Sequence, residues 1–258
     1  MAADRLAGAD VHVWHGRVEA GTGTPGEPRG SDLAILDAGE RARCQRFVRS
    51  ADRVRFAAMH AAQRRLLARY LKVDPAGIRF GRMPCCECGS AEHGPPRVGW
   101  PPTDISFNLS GSGDHWLLAL TREHRVGADI EVPRAFDIGQ LAACLTTAEQ
   151  QDLSNQQQDA RLQMFYRCWT RKEAVLKACG IGLRGALGGL EVAPGRGSPV
   201  EVRHRCKAGP DVWTVRDLAA APGPAGGEGI AGTPGWLGAV AQPAAAAGRL
   251  WCREAASA

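Results

Sequence analysis

The chain has 258 residues, of which 44% are hydrophobic and 23% are charged, as in an ordinary globular protein. Its formal net charge of +5 is carried almost entirely by arginine, and this small excess does not indicate a nucleic-acid-binding protein. No apolar run approaches the roughly 18 residues that cross a bilayer, and the first residues lack an apolar signal-peptide core. We therefore expect a cytoplasmic protein with no membrane partner.

The cysteine content gives a second constraint. The chain holds nine cysteines, and an odd number without a secretory signal argues against a disulfide framework, so we expect most thiols to be reduced. Cys85 and Cys88 have the spacing of zinc ligands and His93 follows them. A closed zinc site needs four ligands, and the second pair is missing, so structural zinc is the less favoured interpretation.

Hydrophobic patterns predict the secondary structure in chain order. Alternation at 11–14 predicts a strand, and apolar residues at helical spacing predict a long helix from about Ser50 to Leu71. Cysteines, glycines and prolines at 81–103 predict an irregular loop. A meander of three strands is expected at 105–109, 116–121 and 126–132. A second helix is expected at 160–179, and later strands at 190–192, 200–205, 212–218 and 236–241.

This order of elements indicates two similar α+β halves, which we place at residues 1–124 and 125–258. The stretch 219–234 is rich in alanine, proline and glycine, which is typical of a flexible insertion. We expect the tail after residue 253 to be disordered.

Acidic residues on one predicted strand are the first candidates for chemistry. In a strand, Asp129 and Glu131 share a face, while Ala128 and Ile130 point to the opposite side. Two carboxylates so close repel each other, and a hard cation such as Mg²⁺ would relieve that repulsion. From this fragment alone, an ordinary solvated strand face is the more common explanation.

The second predicted helix contributes an independent carboxylate. An apolar stripe at helical spacing runs along it, and Glu173 falls on that stripe. A buried charge must be paired or must bind a metal, and Lys177 lies one turn beyond. The alternative is a simple salt bridge between the two. Three carboxylates with a nearby lysine are typical of a phosphate-handling site. The stripe consists of Leu162, Phe165, Tyr166, Trp169 and Leu176.

Two segments together resemble a known family. The stretch Val126–Glu131 reads VGADIE, and Trp169–Ala178 reads WTRKEAVLKA. They are similar to the paired signature of the surfactin-synthetase-type (Sfp-type) 4'-phosphopantetheinyl transferases, G-x-D-[IV]-E followed by W-[ST]-x-K-E-[AS]-x-x-K. Either half alone is weak, but the pair is specific. The segment Phe107–Ser110 adds support because it resembles the family's F-N-[LI]-S, and the resemblance covers about residues 11 to 241.

The resemblance implies a fold, a reaction and partners. The fold is a pseudo-twofold tandem of two α/β halves with the active site in the cleft between them, in a pseudodimeric monomer. The reaction transfers 4'-phosphopantetheine from coenzyme A to a serine of an apo acyl or peptidyl carrier protein, depends on Mg²⁺, and releases adenosine 3',5'-bisphosphate.

The resemblance also implies roles for individual residues. Asp129, Glu131 and Glu173 are expected to bind the metal, with Glu173 and Lys177 as catalytic residues. Glu149 matches an accessory acidic position. The expected coenzyme A contacts are Arg43, Arg55, Ser110 and Lys177.

Two positions depart from the family pattern. Gly111 stands where the family has a histidine after F-N-[LI]-S, and Pro95 stands where it has a lysine or arginine. Both departures remove a cation from the expected nucleotide side, and Arg97 or His115 are candidates to compensate. They also leave open an alternative, a degenerate member that binds coenzyme A or a carrier protein without turnover.

Overall fold

The computed structural model of the protein describes residues 6–19, 26–90, 94–181, 187–205, 207, 209–219, 235–246 and 248–255. Its mixture of helices and sheets confirms the predicted α+β class. The α-helices are α1 (Gly30–Ile35), α2 (Ala38–Gln45), α3 (Ser50–Leu71), α4 (Thr147–Ser154) and α5 (Gln158–Cys179). The strands are β1 (Val11–Arg17), β2 (Arg79–Arg82), β3 (Pro96–Trp100), β4 (Ile105–Ser112), β5 (His115–Arg122), β6 (Gly127–Glu131), β7 (Val200–Arg203), β8 (Val212–Ala219), β9 (Leu237–Pro243) and β10 (Leu250–Glu254).

Among the described residues, the strands form two four-stranded sheets and one hairpin. The first sheet has the order β10-β1-β5-β4, and β10 runs parallel to β1 while the other pairs are antiparallel. The second sheet has the order β6-β9-β8-β7 and is antiparallel throughout. Strands β2 and β3 form the hairpin.

The helices and sheets form layers, and three hydrophobic clusters fill the spaces between these layers. Helix α3 covers the outer face of the first sheet, where Leu67 packs with Leu118 and Leu120. Helix α5 covers the outer face of the second sheet, in a cluster that includes Val175 and Trp213. The inner faces of the two sheets meet in a third cluster. A long helix of 22 residues therefore lies outside each sheet, and the two sheets share the centre.

The predicted loop at 81–103 is wrong at its two ends, where the structure has β2 and β3. The backbone at Phe80 pairs with Val98 and that at Arg82 with Pro96. Glycine and proline at both ends hide the alternation that usually reveals a strand, so only the connection between them matches the prediction.

The predicted strand at 190–192 is also wrong. Leu190 and Val192 are buried, but their backbone is not in a sheet. Instead, the Val192 N–H donates to the Glu149 carboxylate, and the Val192 carbonyl accepts from the Arg171 guanidinium. Side chains therefore satisfy the backbone groups that a neighbouring strand would have satisfied.

The predicted meander divides between the two sheets. Strands β4 and β5 pair as expected, but β6 pairs with β9, more than 100 positions later in the sequence. The break comes at Glu123, which has a positive φ of 63° in the turn after β5. Strand β6 thus begins the second sheet, close to the expected boundary between the halves.

The predicted disorder after residue 253 is wrong at residues 254 and 255, and residues 256–258 lie outside the described part of the chain. Glu254 ends β10 and pairs with His15 of β1, and the Ala255 N–H donates to the His15 carbonyl at 2.7 Å. The last strand thus completes the sheet of the first half. Of the predicted insertion at 219–234, Ala219 ends β8 and the remainder lies outside the described residues.

Two further findings bear on the expectations above. No helix in the described part of the chain has the length and apolar character needed to span a membrane. The described cysteines are mostly reduced, as expected, but Cys86 is disulfide-bonded.

Candidate active site

The carboxylate strand β6 packs against helix α5 through Gly127. A Cβ at this position would lie 2.0 Å from the Ala174 carbonyl oxygen and 2.4 Å from the Ala178 nitrogen. Only glycine lets the strand and the helix come this close. As predicted, Ala128 and Ile130 point into the core between the sheets, so Asp129 and Glu131 emerge on the face that looks toward α5.

Side chains from β4 hold the edge of the first sheet against β6. The Asn108 side-chain oxygen accepts from the Ala128 N–H at 3.0 Å. The Ser110 hydroxyl donates to Asp129 Oδ1 at 2.9 Å, and the Ser112 hydroxyl donates to Glu131 Oε2 at 2.7 Å. Alternate positions on the inner face of β4 thus orient both carboxylates. We call Asn108, Ser110 and Ser112 the β4 bridge.

Helix α5 supplies the third carboxylate and the lysine. Glu173 is 5% exposed, in agreement with its predicted place on a buried stripe. Lys177 Nζ lies 2.6 Å from Asp129 Oδ1 and 2.9 Å from the Ser110 hydroxyl. Trp169 lies beside Glu131 and acts against the burial that raises the pKa of that carboxyl. The structure therefore brings Asp129, Glu131, Glu173 and Lys177 together, and it adds Ser110, which the sequence analysis expected only as a coenzyme A contact.

The electrostatics of this cluster favour protonated carboxyl groups. Burial raises the pKa of Glu173 to about 7, and the negative charges of Asp129 and Glu131 act in the same direction, while Lys177 opposes them. Burial is also the largest cause of the raised pKa values of Asp129 and Glu131, against their hydrogen bonds and the charge of Lys177. One lysine does not compensate three carboxylates, so the cluster favours a further positive charge.

The donor set fits a hard divalent cation. Asp129 Oδ2 and Glu173 Oε1 are buried and have no hydrogen-bond partner. Buried carboxylate oxygens are normally satisfied, and oxygen ligands are what Mg²⁺ prefers. In the described part of the chain, however, no group of three or more His, Cys, Asp or Glu side chains already has the arrangement to hold a metal ion. Instead, Lys177 Nζ forms an ion pair with Asp129 Oδ1.

Glu149 and Arg171 form ion pairs and hydrogen bonds that stabilise the fold. Glu149 is fully buried, forms an ion pair with Lys172 Nζ at 2.6 Å and caps helix α4 through Thr146. Arg171 is also fully buried, and its guanidinium forms two 2.7 Å hydrogen bonds with the Asp217 carboxylate. These contacts do not involve the carboxylate cluster, and the accessory role of Glu149 stays a prediction.

A cleft of about 320 Å³ combines basic groups from both halves. Arg55 lines it and is held by Asp114 at 2.8 Å and Asp52 at 3.2 Å, contacts that raise the Arg55 pKa. Arg43 lies outside this lining, with its guanidinium over the ring of Phe56, which does line the cleft. Further basic residues of the lining are Arg49, His115 and Arg134.

The two departures from the family pattern have different surroundings. Gly111 lines the cleft beside His115, and a Cβ on Gly111 would meet the Met59 sulfur at 2.6 Å. Arg97, the other residue considered as a compensating cation, is on β3 and is not among the residues that line this cleft. Pro95 contacts Gly180 at the end of α5, since a Cβ on Gly180 would lie 2.5 Å from the proline ring.

Sequence reasoning missed several residues that shape the site. Gly127 stands inside a recognised motif and Ser112 lies two residues beyond another, but their roles depend on which sheet β6 joins. Arg49 and Arg134 carry no local signal, because they come to one cleft from positions 85 residues apart in the sequence, on either side of the predicted boundary near residue 124.

Comparison with known proteins identifies similar chains. Residues 125–228 match the family model described as the 4'-phosphopantetheinyl transferase superfamily. The chain is 31% identical over 183 residues to the 4'-phosphopantetheinyl transferase HetI of Nostoc sp., which covers 69% of this chain and 72% of that protein. It is 30% identical over 151 residues to a 4'-phosphopantetheinyl transferase of Bacillus subtilis, covering 58% and 63%.

A shorter match has a higher sequence identity. The chain is 42% identical over 91 residues to the 4'-phosphopantetheinyl transferase AcpT of Escherichia coli K12, covering 34% of this chain and 46% of that protein. For several of these curated relatives, the chain thus spans less than two thirds of the relative's own length.

Proposed function

The chain belongs to the 4'-phosphopantetheinyl transferase superfamily, and from this premise we propose that it transfers 4'-phosphopantetheine from coenzyme A to a serine hydroxyl of an apo carrier protein. The observation that carries the proposal is the convergence of Asp129, Glu131, Glu173 and Lys177 from β6 and α5. Release of adenosine 3',5'-bisphosphate completes the proposed reaction. This intact cluster favours the transferase over a non-catalytic binder.

Asp129, Glu131 and Glu173 are the proposed ligands of Mg²⁺. When bound, this ion would neutralise the pyrophosphate of coenzyme A and increase its reactivity toward a nucleophile. The orphaned oxygens of Asp129 and Glu173 support this assignment, since each can accept a cation without losing a hydrogen bond. Ser110 and Ser112 of the β4 bridge keep Asp129 and Glu131 oriented by donating to one oxygen of each carboxylate.

Glu173 and Lys177 are the proposed catalytic residues. A carboxylate with a pKa of about 7 is suited to accept the proton of the attacking serine near neutral pH. The Lys177 ammonium is a quarter exposed, so it can turn from Asp129 toward a phosphate oxygen and stabilise developing negative charge.

The basic cleft is the proposed site for the nucleotide part of coenzyme A. Arg55, predicted as a phosphate contact, lines it together with Arg49 and Arg134, and His115 lies next to the Gly111 position. Arg43 supports this wall through its contact with Phe56. Ser110 hydrogen-bonds to Asp129 and lies on the same strand as Gly111, which supports a proposed position for Ser110 between the pyrophosphate and the nucleotide of coenzyme A.

The proposed protein partner is an acidic acyl or peptidyl carrier protein. The net charge of +5 favours association with an acidic surface. A monomer is expected to suffice because the cleft already takes residues from both halves of one chain. The cytoplasmic location also stays a prediction.

Intact mass spectrometry tests the activity. We expect the purified chain, with Mg²⁺ and coenzyme A, to add the mass of phosphopantetheine to apo acyl or peptidyl carrier proteins. The substitution Glu173→Gln should lower the rate by at least about 100-fold because it removes a proton acceptor and a charge. Its matched control is Glu201→Gln, on the exposed face of β7, which should leave the rate unchanged.

Two results would contradict these proposals. If no carrier in a panel from fatty-acid, polyketide and nonribosomal-peptide synthesis gains mass, the transferase proposal is wrong. If Glu173→Gln retains full activity with an unchanged circular dichroism spectrum, the role proposed for Glu173 is wrong.

A further inference from the structure

The chain beyond β6 is held in place at both ends of a short segment. We call residues 132–136 the post-β6 segment. The Val132 N–H donates to the Ser112 hydroxyl of the β4 bridge at 3.1 Å. At the other end, the Phe136 ring packs edge-on against Phe165 of α5, with 5.1 Å between the ring centroids. The first sheet therefore holds one end of the segment, and helix α5 holds the other.

The Tyr166 hydroxyl holds the middle of this segment through two hydrogen bonds to one residue. It accepts from the Arg134 N–H at 3.0 Å and donates to the Arg134 carbonyl at 3.2 Å. A neighbouring strand satisfies both backbone groups of a residue in the same way, but the pairing of β6 with β9 ends at Glu131. Tyr166 thus satisfies the backbone just beyond the end of the sheet.

Packing fixes the position of this phenol. Tyr166 is 8% exposed and lies in the hydrophobic cluster between α5 and the second sheet. Its ring packs edge-on against Phe165 and Phe136, with centroid separations of 5.8 Å and 5.9 Å. A side chain that is locked by its neighbours can hold another group in a defined place. The backbone at Arg134 therefore follows one defined path.

This path directs the Arg134 side chain toward the basic cleft. Arg134 Nη2 would lie 3.9 Å from a Cβ added to Gly113, in the turn between β4 and β5, and both residues line the cleft. Arg134 is exposed and forms no ion pair with any residue that the structure describes. Arg55 of the same cleft is instead engaged by Asp114 and Asp52. The Arg134 guanidinium is thus available for a ligand.

A guanidinium in this position is suited to a phosphate, because its planar fork can donate two parallel hydrogen bonds to phosphate oxygens. We propose that Tyr166 is a positioning residue that holds Arg134 at the cleft, where the Arg134 guanidinium binds a phosphate of coenzyme A. This inference rests on the proposed function, which supplies coenzyme A as the ligand. Tyr166 acts only through Arg134 and contacts no substrate.

A purely structural role for Tyr166 is the competing explanation. The hydroxyl would then satisfy two backbone groups and contribute to stability alone. The positioning role is favoured because both hydrogen bonds go to one residue, and that residue lines the cleft with an unpaired charge. The two explanations differ in what loss of the hydroxyl does. A structural role predicts a lower Tm alone, and a positioning role predicts weaker binding of coenzyme A.

Kinetics and direct binding with Tyr166→Phe separate the two explanations. This substitution keeps the buried ring and removes only the hydroxyl. We expect KM for coenzyme A to rise about 5- to 10-fold, while kcat and the KM for carrier protein change less than about twofold, because only ground-state binding is weakened. Isothermal titration with coenzyme A, without carrier protein, should show the same rise in Kd.

The other tyrosine of the chain provides the matched control. The Tyr70 hydroxyl is also buried, and it accepts from the Trp14 indole at 2.9 Å. Tyr70 belongs to the cluster between α3 and the first sheet and does not line the cleft. We expect Tyr70→Phe to lower stability, because a buried hydrogen bond of the same kind is lost, and to leave the Kd of coenzyme A within about twofold.

A double-mutant cycle tests whether Tyr166 acts through Arg134. Arg134→Ala should raise the Kd of coenzyme A at least about tenfold, since a charged hydrogen-bond donor is lost. Adding Tyr166→Phe to this variant should change the Kd less than about twofold, because the group that the hydroxyl positions is already absent.

Three results would overturn this proposal and leave the transferase proposal intact. The first is an unchanged Kd for coenzyme A in Arg134→Ala, a variant that loses only an exposed side chain. The second is a lower Tm with an unchanged Kd in Tyr166→Phe. The third is a rise in the KM for carrier protein without a rise for coenzyme A, which would assign Arg134 to the carrier surface. A parent chain that neither binds coenzyme A nor modifies any carrier would overturn both proposals, and its own titration identifies that case.

Discussion

Glu173 is a carboxylate at a position where the helix pattern calls for an apolar side chain. Its burial has a cost that the single charge of Lys177 does not offset, because Asp129 and Glu131 add negative charge nearby. In the unfolded chain its pKa is near 4.5, and in the folded chain it rises to about 7. The folded state therefore binds more protons than the unfolded state between these two pH values.

This difference predicts how stability depends on pH and on Mg²⁺. Without metal, the free energy of unfolding should fall as pH rises from about 4.5 to about 7, because the folded state must give up the proton on Glu173. Added Mg²⁺ binds the ionised form, so its stabilising effect should grow over the same range. At a free Mg²⁺ concentration 100-fold above Kd, that effect should be about 2.7 kcal/mol.

Thermal unfolding at about pH 5 and pH 8, with and without Mg²⁺, measures both effects. The Glu173→Gln variant serves as the comparison, because it carries no proton to lose and should show a flatter pH dependence. A Mg²⁺-induced rise in Tm that is equal at the two pH values would contradict the assignment of these carboxylates as metal ligands.

At the scale of single elements, the contact between β6 and α5 rests on Gly127. A Cβ there would overlap the backbone at Ala174 and Ala178, and backbone atoms cannot move aside as a flexible side chain can. We expect Gly127→Ala to lower the free energy of unfolding by about 3 kcal/mol, as in other overpacked cores. Because β6 also carries Asp129 and Glu131, the strand should shift and activity should fall with stability.

The matched control is Gly197→Ala, at an exposed position with no atom within 4 Å of the added Cβ. It should change stability by no more than about 0.5 kcal/mol. Urea unfolding of both variants gives the comparison. Equal stability of Gly127→Ala and the parent chain would mean that the strand and the helix can separate without loss.

Elements with a strong local pattern could be predicted from the sequence. The bounds predicted for α3, Ser50 to Leu71, are those of the structure, because its apolar spacing persists over six turns. The pairing of β6 with β9 and the irregular path at Leu190 depend on partners far along the chain. No local pattern encodes a backbone N–H that is satisfied by the side chain of Glu149.

The candidate site likewise contains residues that the sequence predicts and residues that it does not. Asp129, Glu131, Glu173 and Lys177 were found because their spacing on a strand and a helix fixes the faces they share. Arg134 was missed because its place in the cleft depends on the path of the chain between the two sheets.

At the scale of the whole molecule, the boundary between the halves is crossed by β10. This strand lies in the second half of the sequence, yet it extends the sheet of the first half, beside β1. The Arg249 N–H donates to the Asp10 carboxylate across 239 positions of sequence. Residues 1–124 therefore lack one strand of the sheet that holds β1, β4 and β5, and we expect that the two predicted halves do not fold independently.

Removal of residues 249–258 tests this dependence. The truncated chain should lose about 3 kcal/mol of stability, since several backbone hydrogen bonds to β1 disappear. For a chain of this size, Tm should then fall by roughly 10 °C. The exposed edge of β1 should also make the protein aggregate, which light scattering detects.

Removal of residues 256–258 alone is the control, because it keeps β10 and the hydrogen bond from Ala255. Its melting curve should match that of the full chain. If the longer truncation behaves in the same way, β10 contributes little and each half holds its sheet without it.

The β4 bridge makes the carboxylate cluster dependent on the way the two sheets dock. Because side chains alternate along a strand, docking one residue out of register would turn the hydroxyls of Ser110 and Ser112 away from Asp129 and Glu131. A misassembled molecule would thus lose the orientation of both carboxylates at once. The cluster can form only in a correctly assembled chain, so we expect a polypeptide trapped partway through folding to lack the proposed transferase activity altogether.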